Sequence, residues 1–142
     1  MSKSILTDEK IQAYDVDSAI RRALNISWWS RWFGSHIYVS DEWYYSVNIN
    51  ALKEWLLKDD EDKKQYVETE HDCDDFSFQL MGRLSEADSS LAVGIVWIQA
   101  STYGHALNFA VDKNRQFFFV EPQNDAVFKD KPSDWSLTLA VI

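Results

Sequence analysis

Leu91-Ala92-Val93-Gly94-Ile95-Val96-Trp97-Ile98 is an uncharged, almost wholly apolar run of eight residues. A run this short and this apolar suits a strand buried on both faces, because a half-buried strand would alternate. Two segments that follow do alternate, His105 to Val111 and Gln116 to Glu121. Trp135 to Ile142 is a further strand candidate that would tie the C-terminus into the same sheet. Ahead of the run, the spacing turns helical. Val16, Ala19, Ile20, Ala23 and Leu24 share one helix face, with Asp17 near the cap. Ile49, Leu52, Trp55 and Leu56 do the same over residues 48–58, and Phe76, Leu80, Met81 and Leu84 over 73–84. Thr7-Asp8-Glu9 reads as another helix start, and Ile37 to Val39 as a short strand. The pattern predicts an α+β fold of one domain over residues 1–142. Its helical first half, to about residue 90, packs on an antiparallel sheet from the second half.

Charge narrows the function classes. The net charge of −9 disfavours nucleic acid and anionic membrane as partners, since both select clustered Lys and Arg. No segment approaches the roughly 18 apolar residues of a membrane span. No signal peptide is visible in residues 1–30, and the one cysteine forms no internal disulfide, so a cytoplasmic or host-cell cytoplasmic setting is expected. Acids crowd residues 59–75, at positions 59, 60, 61, 62, 68, 70, 72, 74 and 75. Such a tract is either a solvated loop or a place for a hard cation, which takes carboxylate oxygens. Trp28, Trp29 and Trp32 form an aromatic cluster that serves as core or, through Trp28 and Trp32, as one wall of a substrate cleft.

The chemistry-bearing stretch is His71-Asp72-Cys73-Asp74-Asp75-Phe76. Asp72 is a good N-cap, which places Cys73 at a helix start, where the dipole favours a thiolate. Asp72, Asp74 and Asp75 oppose this, because neighbouring negative charge raises a thiol pKa. A counter-charge is therefore needed, either an imidazolium or a bound cation. His105 and Glu121 supply the other two parts of a nucleophile–base–carboxylate arrangement. If Asp112-Lys113-Asn114 is a three-residue hairpin loop with Asn114 left-handed, Val111 pairs with Arg115, Phe109 with Phe117, Leu107 with Phe119, and His105 with Glu121. A lone cysteine is equally the mark of a small buried hydrophobe. His71 and His36 read as surface residues, with His71, two residues before Cys73, the fallback base or metal ligand.

Cys73-Asp74-Asp75-Phe76, Gly104-His105-Ala106-Leu107-Asn108 and Glu121-Pro122-Gln123, in that order, resemble the papain-like protease domain at the C-terminus of fungal ring-type agglutinins and its stand-alone bacterial and phage relatives. The resemblance spans roughly residues 66–128. It implies a papain-like fold and a Cys73–His105–Glu121 triad that cleaves a peptide or amide bond in a peptide or protein substrate. It also implies Ca2+ or Mn2+ near the site, with Asp74 and Asp75 as metal ligands. The agglutinins' sugar-binding β-trefoil has no counterpart here. Two competing expectations stand beside it. One is a non-enzymatic binding or interaction module of phage or immunity type, gripping a partner through its Trp-rich surface. The other is transferase or peptidoglycan amidase chemistry by the same three residues.

Overall fold

The computed structural model describes residues 4–27 and 36–142. The apolar run becomes β4 (Val93–Gln99), a central strand of a six-stranded sheet. On one side it pairs antiparallel with β5 (Gly104–Val111), which leads to β6 (Phe117–Glu121) and β7 (Ala126–Phe128). On the other it pairs antiparallel with β8 (Ser136–Val141), whose outer neighbour, β2 (His36–Tyr38), runs parallel to it. The sheet is therefore mixed, and its edge strand β2 comes from the first half of the chain.

That first half is not helical throughout, which corrects the expected layering. Residues 6–12, where a helix start was anticipated, form strand β1 (Leu6–Gln12). It pairs antiparallel with β3 (Trp43–Val47) in a separate two-stranded sheet. Between them lies helix α1 (Ala13–Ala23), entered through a reciprocal capping box between Gln12 and Asp15. Its buried stripe is Val16, Ala19 and Ile20, continued by Leu24. Helix α2 (Ile49–Leu56) is capped by Asn48, whose side chain accepts from the Ala51 amide at 3.1 Å.

Helix α3 (Cys73–Ala87) packs on β4 and β5. The face of β5 beneath it carries Ala106, Asn108 and Ala110, all buried. The two alanines let the helix approach closely. Asn108 fixes its height by donating to Ser77 O at 3.1 Å and to Gly94 O at 3.3 Å. The opposite face of β5 and β6 is aromatic: Phe109, Phe117 and Phe119 are buried and joined by Phe128 and Trp135.

Candidate functional site

Cys73 opens α3, with Asp72 as N-cap. The Asp72 side chain takes the amide of the third helical residue, Asp75, and Asp75 accepts from the Asp72 amide at 3.2 Å in return. Asp75 is thus committed to the cap. Asp74 faces Asp72, and their shared hydrogen bond, with burial, raises the Asp74 pKa. Ligand atoms of Asp72, Cys73 and Asp74 lie within 4.8 Å of one another. Two carboxylates suit a hard cation, but the sulfur between them does not.

The Cys73 thiol is pushed up in pKa by burial first, with Asp72 and Asp74 adding to the shift and the Ala106 amide partly offsetting it. No hydrogen bond joins it to the His105 ring among the described residues. It rests instead against the backbone one residue beyond His105. A thiol held protonated is a weak nucleophile. Alkylation of Cys73 by iodoacetamide at pH 7 is accordingly expected to run slower than that of an unstructured thiol, and to climb about tenfold per pH unit toward pH 9. A rate that is fast and flat between pH 6 and 8 would contradict this.

His105 and Glu121 do meet. The His105 Nε2 and Glu121 Oε2 atoms are 2.6 Å apart, and the other carboxylate oxygen accepts from the Gln123 amide at 3.3 Å. The route differs from the expected register. Val111 pairs with Phe117, Phe109 with Phe119, and Leu107 stands opposite Glu121, because the loop holds five residues, 112–116. The left-handed position is Arg115 (φ 59°), not Asn114. The shift is two residues, so both side chains stay on one face, and the pair forms diagonally. Trp135 flanks the imidazole at 6.3 Å and anchors its own indole N–H on the Tyr103 hydroxyl at 3.1 Å. Trp28 and Trp32, the expected cleft wall, lie outside the described residues.

Two features lie apart from the predicted triad. The first is a cleft of about 800 Å³ between β1, the start of α2 and the β5–β6 loop, away from Cys73. Asp8, Asn50, Lys53, Lys113 and Asn114 border it, with the half-buried Phe118 ring and Lys129 on one wall. Asp112 ties its loop down by accepting from the Asn114 and Gln116 amides, each at 2.9 Å. The second feature is a knot of carboxylates. Glu61, in the 3-10 turn Glu61–Lys63, is fully buried beside Asp59, and no cation pairs with its carboxylate among the described residues. Burial, then repulsion from Asp125 and Asp59, lifts its pKa to about 8. Asp125, in the β6–β7 turn, is lifted to about 6 by burial and by Asp62 and Asp59. The acidic tract flagged Glu61; nothing local flagged Asp125.

No family model and no curated protein matches the sequence. Solved structures do. PSL1a in a complex with E64 superposes with a TM-score of 0.75 at 19% identity, over 94% of this chain and 51% of that one. Polyporus squamosus lectin bound to the human-type influenza-binding epitope Neu5Aca2-6Galb1-4GlcNAc gives 0.73 at 19% identity, over 94% and 49%. The chain thus spans about half the length of the solved chains it matches. These likenesses correct the reading of the three motifs. The fold is shared with half of a lectin chain, and the ligand seen on that lectin is a glycan. The papain-like assignment, the cysteine hydrolase and its peptide substrate give way to that finding. No helix among the described residues is long and apolar enough to cross a membrane.

Proposed function

We propose that this chain is a non-enzymatic binding module whose ligand is a glycan, held in the cleft between β1, α2 and the β5–β6 loop. The observation that carries the reading is the cleft itself. Its volume of about 800 Å³ falls within the roughly 300–1,000 Å³ typical of small-ligand sites. Its rim is polar in the way a sugar requires. The side chains of Asp8, Asn50, Lys53 and Asn114 make no hydrogen bond among the described residues, so they are free to exchange water for sugar hydroxyls. Carboxylate and amide groups together offer acceptors and donors to a vicinal diol. The Phe118 ring offers an apolar surface to the C–H face of a pyranose.

Three lysines, at 53, 113 and 129, border the cleft of a protein whose net charge is −9. They favour a sugar carrying a carboxylate over a neutral one, and salt weakens the preference. The sialylated trisaccharide on the lectin neighbour is of that class. On this reading His105 and Glu121 brace the sheet end, and Cys73 is structural.

The test is titration of the isotopically labelled chain with that trisaccharide and with its asialo counterpart, followed by NMR. Shifts are expected at Asn50, Lys53, Asn114 and Phe118, with tighter binding of the sialylated form. Phe118→Ala is expected to weaken it roughly tenfold, a loss of about 1.4 kcal/mol. Silence at the cleft with every glycan tried would refute the reading. Release of a cleaved product from a peptide or glycan incubated with the protein would refute it as well.

A further inference from the structure

We propose that the cleft continues past Lys129 into a basic furrow that takes a second acidic group of the same ligand, so that the chain selects glycans carrying sulfate or carboxylate on successive sugars. This rests on the glycan reading of the cleft and adds the part of the ligand that lies beyond it. Two hollows of about 410 and 430 Å³ follow the cleft, along the β5–β6 loop and the end of α1. Asn114 and Lys129 border both the cleft and the first hollow, and Arg22 and Lys129 border both hollows. The three spaces therefore adjoin through shared walls.

Charge sets this groove apart. The chain holds 23 acids and 14 Lys and Arg, so carboxylates are in excess and a cation left without one runs against the composition. Yet six of those 14 bases border the groove: Lys53, Lys113 and Lys129 at the cleft, and Arg22, Arg115 and Lys131 beyond it. Arg115 is neutralised by Glu9 at 2.9 Å and Asp15 at 3.8 Å. The other cations of the furrow have no carboxylate partner among the described residues. Arg22 Nη2 donates to the Arg115 carbonyl oxygen at 2.9 Å, Lys131 Nζ to the Pro132 carbonyl oxygen at 3.3 Å, and Lys129 Nζ to the Gln116 side-chain oxygen. These bonds orient the charges and cancel none of them. No acid lines the first hollow, and the exposed Asp130 is the one acid lining the second.

A concave wall carrying one sign of charge concentrates the opposite sign. The planar guanidinium of Arg22 matches two oxygens of a sulfate or a carboxylate, and the lysines add point charges. Lys129 stands at the junction, its Nζ 5.0 Å from the centre of the Phe118 ring. A sugar resting on Phe118 thus hands its neighbour's acidic group to Lys129 and Arg22. A singly charged glycan leaves those cations to water. Single-stranded nucleic acid fits less well, because the furrow offers a base no platform: Phe117 is its one aromatic lining residue, and that ring is buried.

The experiment is calorimetric titration of the whole chain with four probes: the sialylated trisaccharide, a heparin-derived tetrasaccharide, a hyaluronan tetrasaccharide and an oligothymidylate. At about 50 mM salt the heparin fragment is expected to bind roughly tenfold tighter than the trisaccharide, and the gap should close at about 500 mM. A gain with hyaluronan as well supports the furrow with carboxylate as the second group, and a gain with heparin alone supports it with sulfate. Arg22→Gln and Lys131→Glu should each remove most of the gain and leave the trisaccharide affinity unchanged. Neither side chain belongs to the core, so both variants should fold. A trisaccharide that binds at the cleft with no gain from either acidic fragment would overturn the furrow and spare the cleft. A gain that survives both substitutions, or an oligothymidylate that binds as tightly as heparin, would overturn it too. If no glycan binds at all, the cleft and the furrow fall together.

Discussion

Gly94→Ala is expected to cost the protein most of its stability. Gly94 sits inside β4, directly opposite Phe109 on β5. A Cβ at this position would lie 2.3 Å from the Val141 carbonyl oxygen and 2.5 Å from Cζ of Phe109. Neither neighbour can yield. Val141 belongs to β8, whose ladder with β4 holds the sheet together, and it pairs with Ile95 beside the glycine. The Phe109 ring is buried and stacked on Phe117 at 5.0 Å. Relief would need strand β8 to move away or the Phe109 ring to leave the core. The Gly94 carbonyl also accepts from Asn108, so any backbone shift disturbs the contact that seats α3. Overpacking of a well-filled core costs about 1–3 kcal/mol and more when backbone must move. We expect a loss of at least about 3 kcal/mol against a typical total of roughly 5–15. Urea unfolding measures it as a lower midpoint with an unchanged slope. An unchanged midpoint would mean that β4 and β8 are not packed as described.

The residues made some of this readable and hid the rest for physical reasons. Helix α3 was legible because Asp72 is an N-cap type just ahead of an apolar stripe, and α2 because Ile49, Leu52, Trp55 and Leu56 share one face. Strand β4 was legible as an unbroken apolar run, and β5 and β6 as alternating segments. Strand β1 was not, because Leu6-Thr7-Asp8-Glu9-Lys10-Ile11-Gln12 has the composition of a helix turn and only Ile11 is fully buried within it. Its extended form is imposed by pairing with β3, a tertiary effect outside local propensity. The short strand β7 carries no local strand signal, for the same reason. At the His105–Glu121 pair, the alternation fixed the shared face, while the loop length, and with it the register, depended on a left-handed Arg115 that no local signal marks. The motif blocks around Cys73, His105 and Glu121 suggested a papain-like hydrolase. Such blocks specify residue types and order, yet not whether the thiol reaches the imidazole or carries a depressed pKa. The cleft was invisible, since its walls come from three separated segments.

Phe119→Ala should be the most damaging of the truncations on the aromatic face, and it should be felt at the imidazole. Phe119 is completely buried. Its ring meets Phe117 edge-on at 4.8 Å, stacks with Phe128 at 5.3 Å and takes Trp135 edge-on at 5.6 Å. Removing it leaves a cavity bounded by rings that belong to β6, β7 and the residue before β8, so no single side chain can swing in to fill the space. Phe→Ala at such a site costs about 3–5 kcal/mol. Trp135 loses its floor, and Trp135 is what flanks His105 and binds Tyr103. The His105 ring should then sample several orientations, and its contact with Glu121 should loosen although neither residue has changed. Phe119→Leu retains most of the volume and should cost less, about 1–2 kcal/mol, while keeping the imidazole in place. Urea midpoints give the stability order, and the His105 ring resonances report the second effect. They should broaden in the alanine variant and stay sharp in the leucine variant. If they stay sharp in both, the imidazole is held by Glu121 alone, and the aromatic cluster contributes stability without positioning the pair.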